Sequence, residues 1–139
     1  MAKVADLFAT IEAVHAAGLD AELWPQALAA ITQIVGGAGT TLEVIEKPSL
    51  QHREFHSFGL PPAKQIEYLD HYAPLNPRIA FVSRQQPIEV AWDRLVLDKD
   101  AMDRSPFYAE FLARMDLRYF VGGVITNTPR EFAALTVQR

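Results

Sequence analysis

His52 and His56 stand four residues apart, a spacing that would turn both rings to one side of a strand or of a helix, as a metal pair needs. No carboxylate pattern beside them completes a ligand set. Asp98, Asp100 and Asp103 offer oxygen ligands. A calcium loop, however, needs a glycine at its sixth position and a closing glutamate, and Ala101-Met102-Asp103 supplies neither in register. Helix capping and solvated loop charge are the expected roles of these aspartates. His71 with Asp70 or Glu67 would form an acid–base set only if the side chains converged, and neighbours on a helix point apart. Gly36-Gly37-Ala38-Gly39 lacks the lysine and following helix of a phosphate cradle, so a helix-to-strand loop is expected there. Nucleophile elbows, His-Glu-x-x-His pairs and dinucleotide fingerprints are also missing from the sequence. No catalytic residue, metal or cofactor is therefore expected.

Aromatic residues point elsewhere. Tyr68, Tyr72, Phe81 and Trp92 crowd the least regular part of the chain, where a ligand cavity is often walled. Rings supply apolar area while a phenol or indole fixes orientation. The same rings could equally fill a core beneath a long connection, and the pattern leaves both roles open.

Composition narrows the class of protein. With 139 residues, half of them hydrophobic and 22% charged, the chain has the size and make-up of one folded domain spanning 1–139. Thirteen Lys and Arg face 17 Asp and Glu without a run of either sign, so a basic face for direct nucleic-acid contact is missing. There is no cysteine, which excludes disulfides and thiol chemistry and is compatible with a reducing cytoplasm. The opening Met1-Ala2-Lys3-Val4-Ala5-Asp6 reaches an acid before any apolar core forms, so no secretory leader is expected. No stretch approaches the roughly 18 apolar residues of a membrane span.

These side chains must be positioned by elements whose periodicity is legible. Val4, Leu7, Phe8, Ile11 and Val14 recur at helical spacing, predicting a helix over residues 3 to 16 with Gly18 as its end. Asp20 is placed to cap a second helix carrying Leu23, Trp24, Leu28, Ile31 and Ile34, closed by Gly36. From Thr40 the period becomes two, predicting a strand to about Lys47 and, after Pro48-Ser49, a hairpin partner over 51 to 58. Residues 62 to 73 predict a third helix ending near Tyr72. Asn76 to Ala91, interrupted by Pro77 and Pro87, is expected to be irregular with one short strand at Ile88-Glu89-Val90. Ser105-Pro106 has the form of a hydroxyl cap followed by proline at the first helical position, and predicts a helix to about Met115. Tyr119 to Thr126 and Glu131 to Gln138 predict two central strands about a turn at 127 to 130. The sum is an α/β (α+β) domain, a PAS/GAF-like antiparallel sheet flanked by helices.

Three blocks in this order, Leu23-Trp24-Pro25, Tyr68-Leu69-Asp70-His71-Tyr72-Ala73-Pro74-Leu75-Asn76-Pro77 and Ser105-Pro106-Phe107-Tyr108-Ala109-Glu110-Phe111-Leu112, resemble the N-terminal sensor region of LuxR-type transcription regulators. That resemblance implies a PAS-like or GAF-like sensor joined to a C-terminal helix-turn-helix DNA-binding domain acting as a dimer. No such domain follows Arg139, so the chain is expected to be the sensor alone, reaching DNA only through the missing domain. In acyl-homoserine-lactone sensors of the family an Asp-Pro aspartate accepts a hydrogen bond from the ligand amide. Asn76-Pro77 stands at that place, with a neutral carbonyl instead of a carboxylate. The resemblance implies Tyr68 and Tyr72 as ligand-facing rings, with Asn76, Phe81 and Trp92 as further candidates.

Two functions are expected to compete. In the first, an unknown small apolar or amphipathic molecule binds among these aromatics and biases homodimerisation or a DNA-binding output domain in the cytoplasm, without membrane contact. In the second, the domain only dimerises, through the apolar stripe of the first helix.

Overall fold

Chain order builds a five-stranded sheet with helices on both faces. The computed structural model describes residues 3–139; Met1 and Ala2, with which the segment examined for a leader begins, lie outside them. α1 (Val4–Leu19) starts where the Lys3 backbone N–H donates to the Asp6 carboxylate at 3.0 Å. It runs past the expected end because Gly18 does not take a positive φ, and Asp20 caps it instead. The Asp20 carboxylate accepts from the Glu22 N–H, and a short 3-10 turn at Ala21–Leu23 leads into α2 (Trp24–Val35). Gly36 ends α2 at φ +84°, a left-handed backbone that costs least without a Cβ.

Strands β1 (Gly39–Glu46) and β2 (His52–Phe58) form the first hairpin. β3 (Val90–Trp92), β4 (Phe120–Asn127) and β5 (Glu131–Gln138) complete an antiparallel sheet of order β2-β1-β5-β4-β3. β5 is central, whereas β4 lies one strand from the edge. α2 packs over β1, β2 and β5 on one face, with α1 against α2. Thr32 Oγ1 lies 2.6 Å from Thr40 Oγ1 on that face, and the Trp24 ring lies 5.9 Å from His56.

A bulge separates the two histidines. The β1–β2 register shifts between Val44 and Ile45, pairing His56 with Leu42 but His52 with Ile45. His52 therefore joins the face of Glu43, and His56 joins the face of Trp24. The expectation that both rings face one side is overturned, because one extra residue inverts the alternation.

On the other face lie α3 (Pro62–Glu67), α4 (Pro77–Val82) and α7 (Phe107–Leu112). α3 continues as a π-helical turn over Tyr68–Tyr72 and a 3-10 turn over Ala73–Leu75. α7 is itself π-helical and ends in a 3-10 turn at Ala113–Met115. Its start falls where Ser105-Pro106 predicts it. The contribution of Ser105 is its backbone carbonyl, which accepts from the Ala109 N–H at 2.7 Å.

The expected irregular stretch is the main departure. Asn76-Pro77 does not interrupt the chain there; it starts α4, with the Asn76 Oδ1 accepting from the Arg78 N–H and Pro77 at the first helical position. The short strand begins at Val90, two residues later than expected, because Ile88 sits at φ +78° and the ladder with β4 begins at the pair Val90 and Gly123. Two further short helices, α5 (Asp93–Val96) and α6 (Lys99–Arg104), follow β3. α6 is capped by the Asp98 carboxylate, which accepts from the Ala101 N–H at 2.7 Å. Among the described residues no helix is long and apolar enough to cross a membrane.

Candidate functional site

The inner face of the sheet is unusually polar at its centre. β1 is buried on both sides, so Thr41, Glu43 and Ile45 point away from α2 toward the second helical layer. Register places Glu43 beside Ala134 of β5 and Phe55 of β2. Opposite stand the two π-helical turns. A π-turn widens the helix and re-aims successive side chains, and here the turns bring Tyr68, Tyr72, Phe107 and Phe111 into one aromatic layer. Tyr72 and Phe111 stack with centroids 4.9 Å apart, and Tyr68 lies 5.7 Å from Phe111.

Between that layer and the sheet lies a cavity whose wall includes Glu43, Phe55, Tyr68, Arg78, Phe111 and Ala134. Its volume is about 50 Å³. That is room for more than a single water.

Two buried polar networks reach its wall. In the first, the Arg78 guanidinium, 4% exposed, donates to Tyr108 Oη at 3.0 Å, Gln138 Oε1 at 2.8 Å, Asp93 Oδ1 at 3.1 Å and the Arg118 carbonyl at 3.2 Å. Asp93 also accepts from the Tyr108 hydroxyl at 2.7 Å and from the Phe120 backbone N–H at 2.7 Å. The guanidinium lies 4.2 Å from the centroid of the Phe120 ring, within cation–π range. Burial pushes the Tyr108 phenol up to about 12, with Arg78 pulling against that and Asp93 adding to it.

In the second, Glu43, 6% exposed, accepts at Oε1 from the Tyr68 hydroxyl at 2.7 Å and pairs there with His52 Nε2 at 2.8 Å. Asn76 Nδ2 donates to the Tyr68 hydroxyl oxygen at 3.0 Å. Burial, reinforced by the Glu43 charge, holds the Tyr68 phenol well above its ordinary value, so it remains a proton donor. The remaining carboxylate oxygen, Glu43 Oε2, accepts no hydrogen bond among the described residues and is not fully occluded.

The candidate residues named from the sequence are thus divided. Tyr68 and Asn76 come together on the cavity wall. Tyr72 is buried behind them, its hydroxyl donating to Glu110 at 3.3 Å. Phe81 is not on the cavity wall but packs against the core around Ile45, Ile79 and Phe132 that continues from it. Trp92 sits on the edge strand, 47% exposed. His71 lies on the surface against Tyr72, and Glu67 is engaged by Lys64 and Arg114, so the acid–base trio does not converge. Among the described residues no three His, Cys, Asp or Glu side chains gather as a metal site would require. Sequence reasoning missed Glu43, Arg78, Asp93 and Tyr108. The signal for Glu43 was an acid in mid-strand, flanked on both sides by apolar and hydroxyl residues, a place where an acid needs a partner.

No family model matches the chain, and no curated protein matches it. A solved structure does: the crystal structure of CepR2 from Burkholderia cenocepacia, described as an N-acylhomoserine lactone dependent LuxR family transcription factor. The two share 15% identity with a TM-score of 0.69, over 99% of this chain and 79% of that one. The likeness is one of fold.

Proposed function

We propose that this chain is a single ligand-binding sensor domain of a LuxR-type transcription regulator. A small apolar or amphipathic molecule enters the cavity, and its preference for one state of the domain biases homodimerisation or DNA binding by an attached output domain in the cytoplasm. The observation that carries this is the cavity itself: a largely apolar chamber, part aromatic and part aliphatic, with a few polar groups on its wall, the usual make-up of a small-molecule site. The fold shared with a lactone-dependent factor supports it, as do the antiparallel sheet beneath its helices and the position of Asn76 on the wall. Asn76 makes one hydrogen bond at each polar side-chain atom, Oδ1 accepting from the Arg78 N–H and Nδ2 donating to Tyr68, which leaves it one further N–H and one further lone pair.

Thermal unfolding across a panel of amphipathic metabolites and acyl lactones tests the proposal. A ligand at 100 times its Kd adds about 2.7 kcal/mol to stability, an easily read shift. Ala134→Leu, which fills the cavity from β5, should abolish that shift. An undiminished shift in this variant would place the ligand elsewhere.

A second function is favoured by one observation. The α1 stripe expected from the sequence is on the surface, with Val4, Leu7, Phe8 and Ile11 all exposed and Phe8 at 62%. Such a stripe suits a dimer interface. If dimerisation alone is the role, unfolding depends on protein concentration, Phe8→Glu removes that dependence, and no compound in the panel alters it.

A further inference from the structure

We infer that Glu43 is the anchor of the cavity and that its ligand is a protonated amine on a small aromatic or aliphatic body. This rests on the sensor function proposed above and deepens it. Three observations converge. Both charged residues on the wall are buried, but their charges are not equally matched. Arg78 spends four hydrogen bonds on protein acceptors and is neutralised by Asp93. Glu43 is held at Oε1 by two donors, while Oε2 has none among the described residues. Oε2 is not fully occluded, so on an otherwise buried acid it is left open for a donor, and a ligand N–H makes that bond in charge-assisted form. Around it stand Phe55, Tyr68, Phe107 and Phe111, whose ring faces attract a cation and cover its apolar body. An anionic ligand would meet Glu43 without a free counter-charge on the wall, because Arg78 is already spent on Asp93 and His52 is engaged with Glu43 itself. A neutral alcohol could donate to Oε2 but would forgo the charge.

The test compares three probes of nearly equal shape, 2-phenylethylamine, 2-phenylethanol and 3-phenylpropionate, by calorimetric titration of the wild-type protein and of Glu43→Gln at fixed pH. Gln keeps an oxygen for Tyr68, and circular dichroism reports whether the variant is folded. The amine is expected to bind about tenfold or more tighter than the alcohol, about 1.4 kcal/mol, with the acid weakest. That preference is expected to disappear in Glu43→Gln. The selectivity among probes in the wild type needs no variant and decides the matter even if Glu43→Gln fails to fold. Alcohol or acid binding as tightly as the amine, or amine binding unchanged in Glu43→Gln, overturns the role of Glu43 and leaves the sensor function standing. Silence from all three probes while a panel compound that carries no amine shifts unfolding has the same meaning. Silence across the whole panel overturns both.

Discussion

Arg78 and Glu43 are both charged, both buried and both on the wall of one cavity, yet their surroundings differ in completeness. Arg78 is enclosed by an acid, a phenol, an amide and a carbonyl, with an aromatic ring against its guanidinium. Asp93, its counter-ion, is in turn bonded by Tyr108 and by the backbone of β4. Glu43 has two donors on one oxygen and none among the described residues on the other. A saturated buried network joins elements and specifies one arrangement, whereas an incomplete one leaves a specific interaction to be made. The Arg78 cluster ties α4, α5, α7 and the last two strands together. The Glu43 cluster offers the ligand its contact.

The largest effect should follow from cutting the saturated cluster. Asp93→Ala leaves the guanidinium buried without its counter-ion and the Phe120 N–H without its acceptor. Breaking one side of a buried pair costs about 3–5 kcal/mol, a large share of the total stability of a domain this size. Urea unfolding measures it. A loss below about 1 kcal/mol would mean that the cluster is not the structural joint described here.

Alkali should loosen the same cluster more gently. Tyr108 holds its proton to about 12 in the folded chain but to about 10 when unfolded. Between those values the folded state binds the proton that the unfolded state has released, so stability is fully present below pH 10 and falls as pH rises toward 12. The expected loss is about 2 kcal/mol. Tyr108→Phe should flatten that part of the curve, although its stability at neutral pH is lower. An unchanged slope in Tyr108→Phe would assign the alkaline loss to other groups.

How much of this contrast was legible beforehand depended on whether the determinant was local. The hairpins and first two helices follow from alternation, helical spacing and the glycine at 36, all of which act over a few residues. Tyr68 stood out as one of a crowd of aromatics, and Asn76 only because the resemblance to LuxR-type sensors places Asn76-Pro77 at their Asp-Pro pair. α4 was hidden by taking Pro77 as a break, when the preceding Asn76 makes it a helix start. α5 and α6 are too short for periodicity to register. Arg78 and Asp93 are 15 residues apart and meet only because β3 returns the chain to the sheet. Glu43 was masked because β1 is covered on both faces, which erases the contrast between inside and outside that alternation normally supplies.

The Glu43 cluster also predicts what an aspartate at position 76 would do. Asn76 donates to Tyr68, and Tyr68 donates onward to Glu43, so the chain of hydrogen bonds has one direction. Asn76→Asp keeps the cap on α4, since Asp and Asn cap about equally well. It loses the donor to Tyr68 and sets a second carboxylate before a phenol that has only one proton to give. A cost of about 1 kcal/mol is expected from urea unfolding. Combining it with Glu43→Gln moves the acid from the strand to the helix cap and should recover part of that cost. Simple additivity in the double variant would show that the two positions do not share Tyr68.

Glu43→Gln alone should have the smallest effect on folding, and there the two clusters separate most clearly. The substitution removes a buried charge whose desolvation is only partly offset, keeps an oxygen for the Tyr68 hydroxyl, and introduces an amide that can turn toward the cavity. Stability should change by less than about 1 kcal/mol, in either direction. Asp93 and Glu43 are comparably buried acids, so burial alone predicts similar losses from the two substitutions. If Glu43→Gln costs as much as Asp93→Ala in urea unfolding, the Glu43 carboxylate is a structural brace, and the unbonded oxygen has no bearing on recognition. If the cost is small, the acid is retained at the cavity wall for something other than folding.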